Sequence, residues 1–121
     1  MAYQSSDVRA VFATADAVAA DPDGLAQSQT PSGAGNLTLN GALTSGGVGT
    51  FVSSRQITIT STGNISNRTF TITGTDVSGA VLGVVITGPN AATVTTSEHF
   101  RTITQISISG AAAAAVTAGM N

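Results

Sequence analysis

Three short segments of this chain alternate apolar with hydroxyl side chains: Ile57-Thr58-Ile59-Thr60, Thr69-Phe70-Thr71-Ile72-Thr73 and Ile106-Ser107-Ile108-Ser109. Successive side chains leave opposite sides of a pleated strand, so this alternation predicts strands with one buried face and one wet face. The wet face carries Thr and Ser where a soluble sheet commonly carries Lys and Glu. Residues 80–87 are apolar in both phases, with Leu82, Val84 and Ile86 against Val81 and Val85. That predicts a strand covered on both sides, by a second sheet or by a partner subunit. Residues 100–109 change phase, because Ile103 faces opposite to Ile106 and Ile108 in a regular strand; a bulge near Thr104-Gln105 restores one buried face.

Turn chemistry separates these segments. Asn40-Gly41 is a two-residue hairpin signal after the alternating Leu37-Thr38-Leu39. Gly46-Gly47-Val48-Gly49 reads as a flexible loop before a short strand near residues 50–52. Ser61-Thr62-Gly63-Asn64, residues 74–79 and Gly88-Pro89-Asn90 read as further turns. Five alanines at 111–115 are too few to nucleate a helix, and predict a turn before a final strand near residues 116–118. Six to eight short strands at this spacing predict an all-β, single-domain antiparallel β-sandwich or small barrel over residues 33–121.

Residues 1–32 differ and read as an N-terminal arm, extended or partly helical. Val8, Val11, Phe12, Ala15, Val18 and Ala19 have helical spacing, Ser6-Asp7 offers a cap, and the competing reading is an extended segment. Asp21-Pro22-Asp23-Gly24 is expected to turn the chain, and residues 27–35 to lie extended on a surface.

Composition sharpens the picture. Charged residues make up 8% of the 121, and lysine and cysteine are absent, whereas about a quarter of a typical soluble domain is charged. Weak colloidal repulsion favours association, which points to an assembly subunit. The four basic residues, Arg9, Arg55, Arg68 and Arg101, are scattered over a chain of net charge −2. They form no stripe to neutralise phosphates, so nucleic acid is not expected as a partner. No uninterrupted apolar run is long enough for a membrane helix, and the first residues lack the pattern of a signal peptide. The expectation is synthesis in a cytoplasm and no membrane partner.

Catalytic chemistry finds little support. His99 is the only histidine, which rules out a multi-histidine zinc site, and no Gly-x-Ser-x-Gly elbow accompanies it. Asp76 and Glu98 are the only carboxylates of the strand region, with few aromatics to hold a sugar between them. Asp21 to Gly24 lacks the further oxygen ligands of a calcium loop. Gly46 to Gly49 lacks the following Lys of a phosphate loop. The expectation is no enzyme, no cofactor and no catalytic, cofactor-binding or metal residues.

Residues 23–31 (DGLAQSQTP) and 33–43 (GAGNLTLNGAL), followed in order by ITITS at 57–61, TFTITGTD at 69–76, TGPNA at 87–91 and FRTITQISISGA at 100–111, resemble a group of small tailed-bacteriophage virion proteins. The likeness covers roughly residues 20–119, and it departs where Ala111 to Ala115 replace a Gly- or Asn-containing turn. The resemblance implies a structural virion protein, foremost a capsid decoration (cement) protein bound to the major capsid protein lattice as a homo-oligomer, a trimer among the options. The alternatives are a tail, neck or fibre-base subunit, and then a non-viral surface-binding β-module. It implies localisation in the virion after assembly in the host bacterial cytoplasm, and it singles out no functional residues.

Overall fold

The structure is a computed structural model and describes residues 19–121. Ten strands lie among the described residues: β1 (Asp21–Gln29), β2 (Gly35–Asn36), β3 (Thr44–Ser45), β4 (Val48–Arg55), β5 (Ile57–Ser61), β6 (Thr69–Thr75), β7 (Val81–Thr87), β8 (Thr93–Thr95), β9 (Phe100–Ile108) and β10 (Val116–Met120). The larger sheet runs β3-β4-β9-β6-β7, with β2 pairing the end of β9; the smaller runs β1-β10-β5-β8. Every pairing is antiparallel. The expected all-β sandwich is what forms.

One apolar cluster joins the two sheets. Leu25, Ala26, Ile57, Ile59, Val116, Ala118 and Met120 enter it from the smaller sheet, and Phe51, Phe70, Ile72, Phe100, Ile103, Ile106 and Ile108 from the larger. Few aromatics are available, so β-branched aliphatics fill most of the space between the pleated faces, where their stiff side chains suit a strand. The chain changes sheet at Gln56, which lets β4 and β5 present Phe51 and Ile57 to the same core.

The phase change in β9 is resolved as the sequence requires. Ile103 pairs with Gly74 and Gln105 with Thr73, so β9 carries one extra residue at Thr104. Ile103, Ile106 and Ile108 consequently share the buried face, at the cost of one unpaired position.

Several local expectations are revised. The boundary of the arm at residue 32 does not hold, because β1 pairs with β10 and its Leu25 and Ala26 are wholly buried. Asp21 to Gly24 does not reverse the chain. The residues 21–26 span what only three residues of β10 span, from Met120 opposite Asp21 to Ala118 opposite Ala26, so the turn-forming residues bulge out of a continuing strand. Asn40-Gly41 makes no hairpin either. Gly41 N donates to Leu25 O at 3.0 Å, and Leu43 N to Gly24 O at 2.8 Å; Asn40 Oδ1 accepts from Gln27 N at 3.0 Å. The pair fastens the β1 bulge instead. The two-residue hairpin falls at Gly46-Gly47, with φ of 61° and 81°, the doubly left-handed turn that suits the twist of β3 and β4. The final strand extends to Met120, and the helical spacing over residues 8–18 lies outside the described residues.

Candidate docking surface

On the larger sheet, register aligns the side chains facing away from the core into rows. Thr87 lies beside Thr69, Val85 beside Thr71 and Ser107, Gly83 beside Thr73 and Gln105, and Val81 beside Thr75, Thr102 and Thr50. None of these residues is charged. Arg101 sits within β9, yet its Nε donates to Phe51 O at 2.7 Å. Arg68 Nε likewise donates to Ala111 O at 2.8 Å, fastening the alanine turn.

Three polar contacts on this sheet join neighbouring strands. The Thr75 and Thr102 hydroxyls lie 2.6 Å apart, Thr104 Oγ1 donates to Thr73 O at 3.2 Å, and Gln105 Nε2 donates to Asn36 Oδ1 at 2.8 Å. Short side chains held in this way have little rotamer freedom to lose when another surface covers them.

Valines break the hydroxyl surface. The exposed large apolar side chains among the described residues are Val48, Val52, Val77, Val81 and Val85. All belong to β4, to β7 or to the turn between β6 and β7. Val81 is 82% exposed, Val52 77% and Val85 64%. Of the two covers expected for residues 80–87, the second sheet supplies one side only: Leu82, Val84 and Ile86 pack partly against the core, while nothing in the described chain covers Val81 and Val85, and the partner-subunit alternative stays open for that side. Beside Val52 a pocket of about 180 Å³ is lined by Leu43, Thr50, Phe51, Val52, Arg55 and Met120. It is smaller than the several hundred Å³ usual for small-molecule sites, and of a size to accept one protruding side chain.

The smaller sheet has less of such a surface. Thr60 and Thr93 bond to each other at 2.8 Å. Thr58, although in the hydroxyl phase of its ladder, is buried, and its Oγ1 has no hydrogen-bond partner in the protein. Gly119, its neighbour on β10, lies so close to β1 that a Cβ there would sit 1.8 Å from Asp21 O. The β1 bulge is what covers this part of the face, which alternation within β5 could not reveal.

The residues considered for chemistry are dispersed. His99 and Glu98 are exposed ahead of β9, with Ser97 Oγ donating to Glu98 Oε1 at 3.0 Å. Asp76 organises the β6–β7 turn: its Oδ1 accepts from Ser78 Oγ at 2.6 Å, Ser78 N at 2.9 Å and Ala80 N at 3.1 Å. Those bonds, the Ser78 hydroxyl first, hold its carboxyl below the ordinary value. Among the described residues no three His, Cys, Asp or Glu gather as metal ligands, and no helix is long and apolar enough to cross a membrane. No family model, curated protein or solved structure matches this chain.

Proposed function

We propose that this chain is a structural virion protein of a tailed bacteriophage, a capsid decoration protein that docks on the major capsid protein lattice and cements it. The observation that carries the reading is the charge-free face of β4, β9, β6 and β7, where Thr and Ser, with Thr75 and Thr102 bonded to each other across strands, surround exposed valines. A cement protein must adhere to a repetitive, rigid surface without turnover. A preorganised sheet face of short side chains does this at small entropic cost. Interfaces of modest area suffice, because neighbouring copies on a lattice, or in a homo-oligomer, raise avidity. The resemblance of residues 20–119 to small tailed-phage virion proteins supports the same reading.

Quantitative mass spectrometry of purified virions provides the test, with the copy number of this chain set against the major capsid protein. Hundreds of copies in a simple ratio are expected. A few to a few tens would assign the chain to the tail or neck, and absence from particles would end the virion reading. Thr73→Lys places a flexible charge at the centre of the face; it should leave the fold intact and sharply reduce occupancy on capsids.

A further inference from the structure

We propose that the free edge of β7 is a self-association site, where two copies of this chain pair their β7 strands antiparallel about a two-fold axis. The other sheet edges show how this protein limits unwanted strand pairing. β3 spans two residues and β8 three. β1 carries Asp21, Pro22 and Asp23 and two register shifts against β10. Short length, charge, proline and bulges are the devices that keep edges from recruiting other strands. β7 has none of them. It runs seven residues in unbroken register with β6, contains no charge and no proline, and pairs with no other strand among the described residues.

The register identifies the groups on offer. Gly88 N donates to Arg68 O at 2.8 Å and Asp76 N to Ala80 O at 3.0 Å. In an antiparallel ladder the hydrogen-bonded pairs alternate, so Ala80, Leu82, Val84, Ile86 and Gly88 direct their N–H and C=O groups to β6. Val81, Gly83, Val85 and Thr87 direct theirs to the open edge.

A second β7 matches this edge when the axis passes beside Val84. Val81 then exchanges hydrogen bonds with Thr87 of the second copy, and Gly83 with Val85, so the edge groups of all four residues are satisfied on both strands. On the inner side Leu82 meets Ile86, and Val84 meets its own counterpart, which extends the apolar core across the axis. On the outer side Val85 falls beside Gly83, where no side chain competes for space, and no like charges meet. An isologous contact requires a surface complementary to itself. The sequence Val-Leu-Gly-Val-Val-Ile-Thr supplies one centred on its fourth residue. Main-chain pairing gives the affinity, as in other strand additions; the small area makes the dimer concentration-dependent.

This inference stands apart from the capsid reading, because the edge points sideways from the sheet and its test needs only the purified chain. Sedimentation of the full chain should show a monomer–dimer equilibrium. Gly83→Pro removes an edge N–H and obstructs strand addition, while a Cβ at Gly83 meets nothing within 4 Å; it should weaken dimerisation at least tenfold with the β-sheet circular dichroism retained. The chain has no cysteine, so an engineered thiol reports the register without the proline variant. Val84→Cys lies opposite itself in a non-hydrogen-bonded pair, about 4.5 Å between Cα atoms, within disulfide reach. It should oxidise to a covalent dimer. Val81→Cys lies six residues from its counterpart, about 20 Å away, and should not. The proposal is overturned by a wild-type chain that stays monomeric at near-millimolar concentration, by equal cross-linking of the two cysteine variants, or by an oligomer, a trimer included, that a folded Gly83→Pro variant leaves unchanged.

Discussion

Thr71 and Ile72 are neighbours in β6 with opposite surroundings: Ile72 is wholly buried, and Thr71 faces outward beside Val85 and Ser107. Ile72→Asp removes a well-packed aliphatic side chain and leaves a carboxylate that must be buried unpaired or protonated. The expected loss is about 4 kcal/mol or more, measurable by denaturant titration; a change within a few tenths would mean that Ile72 faces solvent. Asp76 sets a pH dependence of known sign. Its carboxyl is held below the ordinary value by the Ser78 hydroxyl and the backbone N–H groups of Ala80 and Ser78, so its folded pKa is lower than its unfolded one. The turn therefore contributes its full stability above about pH 4, and loses it as pH falls from there through the folded value. The drop in melting temperature between pH 7 and pH 3 should be smaller for Asp76→Asn than for wild type, and an equal drop in both would remove Asp76 from the account.

At the scale of elements, the bulge in β9 carries the sharpest consequence. Thr104 is the extra residue that brings Ile103 into phase with Ile106 and Ile108. Deleting it forces either Ile103 or the later pair to the outer face. Each exposed isoleucine costs about 1.5–3 kcal/mol, so the deletion variant should lose at least that much stability; urea unfolding like wild type would show that the strand tolerates the shift. This bulge was legible in the sequence because a phase error is local, visible within ten residues. So were the ladders of β5 and β6 as strands. The roles of Asp21 to Gly24 and of Asn40-Gly41 were not legible. Their turn chemistry is genuine, yet the backbone bonds from Gly41 to Leu25 and from Leu43 to Gly24 use it to stabilise a bulged strand, and that depends on contacts between segments far apart in the chain. The candidate surface was half legible: alternation placed Thr and Ser outward, but only the sheet order exposes Val81 and Val85 at an edge.

For the whole molecule, the smaller sheet decides where the folding unit starts. β10 lies between β1 and β5, so its Val116, Ala118 and Met120 are held on both sides. Leu25 and Ala26 close that side of the core, and Leu25 also packs where a Cβ at Gly49 would come within 2.3 Å of it. Residues 21–29 are thus part of the folding unit, with Leu25 and Ala26 in its core, although their composition resembles a polar arm. Two truncations separate these assignments. Removing residues 1–18 leaves all ten described strands in the chain, and the remainder should still melt cooperatively. Removing residues 1–32 strips β1 from β10 and exposes Leu25's side of the core; burying one leucine stabilises by about 1.5–3 kcal/mol, and the β10 edge would lose its hydrogen-bonded neighbour as well. Since a domain of this size is commonly stable by only about 5–15 kcal/mol, the longer truncation should be largely unfolded at 37 °C or melt far below the full chain by differential scanning calorimetry. A cooperative transition at the full-chain temperature would restore the boundary at residue 32 and reduce β1 to an appendage. Capsid occupancy then separates anchoring from folding: a loss on removing residues 1–18 from a chain that still melts normally would assign the anchor to that segment, while retained occupancy would leave the charge-free sheet face as the adhesive surface.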